Sequence, residues 1–143
     1  MNHDEYSDDY LRDILTSVRT IAVVGASPRP NRPSHGVMRF LQRHGYRAIP
    51  VNPFAAGDEI LGERVYANLS DIAEPVDMVD IFRRSEAAGA VVDEAIAIGA
   101  AVVWMQFDVR DDAAARRAEA MGIRVVMDRC PAIEIPRLRL ASR

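Results

Sequence analysis

Short continuous apolar runs alternate with stretches of helical spacing along almost the whole chain. Thr20 to Val24 and Ala101 to Met105 are continuous, while Arg47 to Val51, Val76 to Phe82 and Ile123 to Met127 are apolar-rich runs that carry Arg47, Asp77, Asp80 and Arg124. A strand covered on both faces has no polar side to show, so it reads as an unbroken apolar run and not as an alternation. Between the runs lie amphipathic stretches. Tyr10, Leu11, Ile14, Leu15 and Val18 share one helical face, and Val37, Met38, Phe40 and Leu41 another. Further helices are expected over 86–98 and 111–121. Gly45, Gly99 and Gly122 stand where helices stop, and Ser34 and Ser85 are expected to cap helix starts. Strands separated by helices pair in parallel through right-handed crossovers, which gives an α/β, doubly wound, mostly parallel sheet. A weaker extended piece, Arg64 to Ala67, supplies a short third strand, and Leu69 to Ile72 a helical turn. Six strands in this arrangement fit the Rossmann-like order 3-2-1-4-5-6.

With 143 residues, 49% of them apolar, the chain is expected to form a single domain over 1–143. Residues 1–14 read as an N-terminal extension and helix, and 129–143 as a C-terminal segment in which Pro131 and Pro136 keep any helix short. No apolar run approaches the ~18 residues of a membrane span. The acidic start, Met1 to Glu5, lacks the apolar stretch of a secretory signal, so a cytoplasmic protein is expected. Cys130 is the only cysteine, which excludes an internal disulfide and a thiolate metal cluster, and His3, His35 and His44 are too scattered to suggest a metal site. Net charge is −3, yet Ile14 to Gly57 contains no acidic residue and six arginines: 19, 29, 32, 39, 43 and 47. A cationic segment in an acidic chain points to a local anionic partner and not to nucleic acid. All 18 basic residues are arginine, so no lysine is present to act as a catalytic amine.

In a sheet of this kind ligands bind outside the carboxyl ends of the strands. The first such end carries Gly25-Ala26-Ser27-Pro28-Arg29-Pro30-Asn31-Arg32-Pro33-Ser34. Aligned with the G-x-G-x-x-G fingerprint, only Gly25 matches, while Ser27 and Pro30 stand at the other two glycine positions. The loop is proline-rich and cationic, and it feeds a helix whose first N–H groups attract anions. Nicotinamide dinucleotide sites hold a free ribose diol with an acid at the end of the second strand. Here that end reads Val51-Asn52-Pro53, with no carboxylate before Asp58. Extra arginine and a missing acid suit a ribose that itself bears phosphate, as in NADP or coenzyme A. Arg29 and Arg32 can equally be solvated loop charges, with Arg29 placed further out on the loop.

Motifs at several strand ends carry a more specific signal: Val24-Gly25-Ala26-Ser27, Arg32-Pro33-Ser34, Pro50-Val51-Asn52-Pro53, Val79-Asp80-Ile81-Phe82-Arg83, Trp104-Met105-Gln106 and Asp128-Arg129-Cys130. From about residue 15 to 138 the chain resembles the small bacterial and archaeal CoA-binding proteins. It is similar to the N-terminal CoA-binding domain of the succinyl-CoA synthetase α-subunit. The resemblance implies that Gly25, Ala26 and Ser27 line the diphosphate of coenzyme A and that Arg32, Pro33 and Ser34 contact phosphate. It implies further that Val51, Asn52 and Pro53 border the adenosine, and that Phe82, Arg83, Trp104, Met105 and Gln106 form the far wall along the pantetheine. Two departures stand out: Ser85 replaces a frequent proline, and Phe107-Asp108 a stretch that commonly holds glycine. Asp108 could instead cap the helix that begins near Asp111.

Cys130 follows the last strand and is either a small buried apolar residue or a thiol that reaches the ligand and forms a mixed disulfide with CoA, with Arg129 favouring the thiolate. Trp104 can be core or ligand wall. Asp77 is expected to cap the entry of its strand, and Asp80 to bond backbone near the point where strand order reverses. No nucleophile elbow, Walker loop or Ser–His–Asp set is present. The expected function is non-catalytic or accessory binding of coenzyme A or a short acyl-CoA. The alternatives are an NADP-dependent enzyme or redox sensor on the same fold and a CoA-responsive regulatory subunit. A protein partner or a homo-oligomer is compatible with each.

Overall fold

The computed structural model describes residues 1–143. Five strands form one parallel sheet: β1 (Thr20–Val24), β2 (Arg47–Val51), β5 (Met78–Ile81), β6 (Val102–Met105) and β7 (Arg124–Val126), ordered 2-1-5-6-7. Two further strands, β3 (Glu59–Ile60) and β4 (Glu63–Arg64), make a small antiparallel hairpin apart from the sheet. The expected six-strand order is therefore corrected to five. The piece expected as a third strand meets β2 only at one parallel bridge between Val51 and Tyr66. Tyr66 N–H donates to Pro50 O at 3.0 Å and Asn52 N–H to Tyr66 O at 2.9 Å, after which the chain turns away. A proline at position 50 has no N–H to offer that neighbour, which limits how far a ladder could extend there.

The helices are α1 (Asp8–Ser17), α2 (Pro33–Arg43), α3 (Ser85–Ala97), α4 (Asp112–Ala120) and α5 (Pro131–Arg137), with a 3-10 turn at Leu69–Asp71. Side chains alternate across each strand and bury both faces. On one face Ile21, Val23, Met78, Trp104 and Val126 pack with Leu11, Ile14 and Leu15 of α1, Met38 and Leu41 of α2 and Ile135 of α5. On the other, Ala22, Val24, Val79, Ile81, Met105 and Val125 meet the alanine- and valine-rich faces of α3 and α4. No helix is long and apolar enough to cross a membrane.

Two expected caps are corrected. Ser34 and Ser85 lie inside the first turns of α2 and α3, whose N-caps are Arg32 and Arg84, neither with a side-chain cap bond. Their hydroxyls are used elsewhere: Ser34 Oγ accepts Ser27 N–H at 3.1 Å, and Ser85 Oγ donates to Asp108 O at 3.2 Å and accepts Arg110 N–H at 3.0 Å. Asp111 caps α4 by accepting Ala114 N–H, so Asp108 is not that cap. Asp77 precedes β5, but its side chain caps the entry of the neighbouring β1 and not of its own strand: Oδ2 accepts the N–H groups of Arg19 and Thr20, both at 2.9 Å.

Candidate functional site

The carboxyl ends of β1, β2, β5 and β6 open into one cleft of about 930 Å3, within the range of small-molecule sites. Its first wall is the loop after β1. Gly25 adopts φ +89°, and a Cβ there would lie 2.2 Å from the carbonyl oxygen of Phe82, so the close approach of the β1 and β5 ends requires glycine. Ser27 then turns the chain: its Oγ accepts Arg29 N–H at 3.2 Å while its own N–H goes to Ser34. This sets Arg29, Arg32, Pro33 and Ser34 along the cleft at the start of α2, whose N-terminal N–H groups carry no side-chain cap.

Asn52 joins the next loop to the first. Its Nδ2 donates to Ala26 O at 2.8 Å, and its Oδ1 accepts Phe54 N–H at 2.9 Å. Phe54 is thereby held on the rim with 91% of its surface exposed. The β5 end contributes Phe82, Arg83 and Arg84, and the β6 end Gln106, Phe107, Asp108 and Val109. Asp108 takes φ +65° and donates its N–H to Asp128 Oδ1 at 2.8 Å, with Asp128 at φ +58°. A left-handed backbone is where glycine is cheapest and aspartate tolerable, so the geometry accounts for Asp108 in a stretch that otherwise favours glycine. Arginines 29, 32, 83 and 84 face one carboxylate, Asp108, among the lining residues. Only Arg84 has an ion pair, a 3.5 Å contact with Glu86 between two exposed groups.

Of the residues singled out from the sequence, Gly25, Ser27, Arg32, Pro33, Ser34, Asn52, Phe82, Arg83 and Gln106 line this cleft. The others do not. Ala26 and Val51 are buried, their backbones rather than side chains serving the loops, and Pro53 is exposed beside the rim. Trp104 and Met105 are fully buried strand residues, one on each face of the sheet. Trp104 is core, its Nε1 donating to Arg129 O at 2.8 Å. Cys130 is buried and does not reach the cleft lining, and burial pushes its thiol up from its ordinary pKa. Arg129 does not face it: its Nη1 donates to Asp128 O, and its guanidinium lies over the Tyr6 ring at 5.3 Å.

Arg29 was expected further out and instead lines the cleft, because the Ser27 turn folds the loop back. Phe54 and Val109 line the cleft without having been expected there, while Arg84 and Phe107 lie within the strand-end stretches 82–85 and 104–108 expected to surround it. Asp80 does not bond backbone. It is fully buried on β5, and with the Gln106 amide nitrogen turned toward it, that nitrogen donates to Oδ1 at 2.8 Å and Oδ2 at 3.2 Å.

Known proteins give this geometry a context. Residues 19–136 match the family model described as CoA binding domain. Over 120 residues the chain is 40% identical to the uncharacterized protein YneT of Bacillus subtilis, covering 84% of this chain and 87% of YneT. A solved structure of a hypothetical protein from Pyrococcus horikoshii OT3 superposes with a TM-score of 0.90 at 37% identity, covering 97% and 96% of the two chains. An ADP-forming acetate–CoA ligase of Archaeoglobus fulgidus is 34% identical over 79 residues, 54% of this chain and 11% of the ligase. The match to the family model covers the sheet and every strand end that builds the cleft: the chain belongs to the CoA binding domain family.

Proposed function

We propose that the cleft binds coenzyme A or a short acyl-CoA and that the chain acts as an accessory binding module without chemistry of its own. The observation that carries this reading is the charge of the cleft: four arginines and an uncapped helix start, and no carboxylate at the end of β2. A phosphorylated ribose and a diphosphate need cationic donors, and guanidinium groups supply them in pairs. Ser27, Arg32, Pro33 and Ser34 would meet the diphosphate, with Gly25 and Ala26 giving it backbone. Asn52, with Val51 and Pro53 framing it, would border the adenosine beside Phe54. Phe82, Arg83, Gln106 and Val109 would follow the pantetheine toward Cys130. The absence of chemistry rests on the lining itself. The Ser27 and Ser34 hydroxyls already accept backbone N–H groups, and neither is hydrogen-bonded to a histidine or a carboxylate.

The test is a thermal-shift comparison of coenzyme A, dephospho-CoA, NAD and NADP. Binding to the folded state alone stabilises by RT ln(1 + [L]/Kd), about 2.7 kcal/mol at a hundredfold excess. Coenzyme A is expected to raise Tm the most and NAD the least. An NADP shift equal to or above that of coenzyme A overturns the assignment in favour of a nicotinamide site.

A further inference from the structure

Two aromatic side chains stand at opposite rims of the cleft. Phe54, at the β2 end, is 91% exposed, and Phe107, at the β6 end, is 49% exposed. β1 and β5 lie between those strands, so at about 4.8 Å per strand the two rims are roughly 14 Å apart. Both rings are carried by backbone that is tied down. Asn52 Oδ1 fixes the Phe54 N–H. Phe107 and Asp108 are the central residues of a turn closed by Val109 N–H donating to Gln106 O at 3.0 Å. Three further bonds pin that turn to the end of β7 and the start of α3. Asp108 N–H donates to Asp128 Oδ1 at 2.8 Å, Ser85 Oγ to Asp108 O at 3.2 Å, and Arg110 N–H to Ser85 Oγ at 3.0 Å. A large apolar side chain that lines a cleft from a fixed turn is pre-organised for an apolar ligand group.

The apolar surface at this end extends beyond one ring. Val109, on the same turn, and Phe82, at the end of the adjacent β5, also line the cleft. Phe54 is the remaining large apolar lining residue, and it stands alone at the far rim. Charge at the β5 and β6 ends is mixed. Arg83 and Arg84 face the cleft, Arg84 within 3.5 Å of Glu86, while Asp108 sits on the turn itself. A carboxylate brought to that turn would meet Asp108 as a like charge, whereas an uncharged hydrocarbon group would meet Phe107 and Val109.

We propose that Phe107 and Val109 are specificity-determining residues for an acyl group. The cleft prefers CoA thioesters of short, uncharged hydrocarbon acids over free coenzyme A and over thioesters that end in a carboxylate. This rests on the coenzyme A reading. With the adenosine beside Phe54 and the diphosphate at the loop after β1, the pantetheine runs toward the β6 end and its thioester arrives at the turn 106–109. Each methylene moved from water onto an apolar wall raises affinity by a factor of about four when fully covered. An open cleft covers it in part.

The test is calorimetric titration with coenzyme A, acetyl-CoA, butyryl-CoA and succinyl-CoA. The butyryl and succinyl chains both have four carbons and differ in ending on a methyl or a carboxylate. Butyryl-CoA is expected to bind about fivefold more tightly than acetyl-CoA, and succinyl-CoA no more tightly than coenzyme A. Phe107→Ala should bring butyryl-CoA down to the affinity of acetyl-CoA, and Phe107→Leu, which keeps an apolar group on the turn, should restore most of the difference. Asp108→Asn should narrow the gap between the succinyl and butyryl thioesters; melting curves report whether each variant folds. If none of the four compounds binds, the coenzyme A reading falls and the acyl preference with it. If coenzyme A binds and butyryl-CoA binds no better, only the acyl preference falls. Tighter binding of succinyl-CoA than of butyryl-CoA overturns it in favour of Arg83 and Arg84 as receptors for an acidic acyl group. A butyryl preference that survives Phe107→Ala overturns the role of that ring.

Discussion

Gly25 shows how one position can fix the whole site. Its φ of +89° and the 2.2 Å approach to Phe82 O leave no place for a Cβ. Gly25→Ala is expected to cost more than the roughly 1–3 kcal/mol of a strained backbone alone, because Phe82 must also move. Coenzyme A affinity should fall with it, since Ser27 and Phe82 both lie on that junction. Denaturant unfolding together with calorimetric titration checks this, and a variant with unchanged stability would contradict the clash. Gly25 was legible in the sequence because glycine after an apolar run has few other uses. Asp80 was legible as a residue of interest, but its partner was not: Gln106 is 26 positions away, and only the β5–β6 pairing brings the two together. The burial of Trp104 and Met105 was hidden for a related reason, since a strand-end residue can face the cleft or the core and composition does not decide which.

At the scale of elements, the first helix does more than its amphipathic pattern announced. β7 is an edge strand, and an uncovered edge invites pairing with another chain. Two tyrosines cover it. Tyr10 Oη accepts Val125 N–H at 3.1 Å and donates to Val125 O at 2.9 Å, and Tyr6 Oη accepts Met127 N–H at 2.8 Å. The rings stack 5.8 Å apart, and His3 Nδ1 lies 2.7 Å from the Tyr6 hydroxyl. Tyr10→Phe strands both Val125 groups, and the loss expected is about 1–3 kcal/mol in urea or thermal unfolding. Burial raises Tyr6 to about 12, so its hydroxyl stays protonated in the folded protein when the unfolded chain has begun to ionise. A raised folded pKa contributes stability that is present below the unfolded value of about 10 and is lost as pH climbs from there toward 12. Unfolding free energy should therefore fall across pH 10–12, and less steeply in Tyr6→Phe. The strand and helix positions were readable because burial on both faces leaves continuous apolar runs. The tyrosine cover was not, because it depends on contacts more than 110 residues apart.

For the molecule as a whole, charge is arranged differently from the impression given by the acid-free stretch 14–57. Of its six arginines only Arg29 and Arg32 line the cleft, while Arg47 is tied to Glu63 and, through Nε at 3.0 Å, to Glu74. The cleft's other two arginines, 83 and 84, come from the β5 end, so cationic character is assembled by the sheet and not by one segment. Elsewhere arginines are spent on acids that hold the periphery: Arg110 with Asp4, Arg117 with Asp93, and Arg137 with Asp8 and Glu134. A net charge of −3 thus coexists with a local positive field at the strand-end cleft. That field is exposed, so salt should screen it: the Debye length shortens from about 10 Å at 0.1 M to about 3 Å at 1 M. Coenzyme A affinity is expected to weaken on the order of tenfold across that range. Arg32→Ala, at the start of α2, should weaken binding by roughly tenfold at low salt, about 1.4 kcal/mol, and should flatten the salt dependence. Arg29→Ala should act in the same direction now that Arg29 is a lining residue, and Arg39→Ala, outside the cleft, should leave both affinity and slope unchanged. Titration calorimetry at several salt concentrations distinguishes these outcomes. A wild-type affinity indifferent to salt would show that the arginines are solvated charges and that the cleft recognises its ligand through Asn52, Phe54 and Phe82 instead.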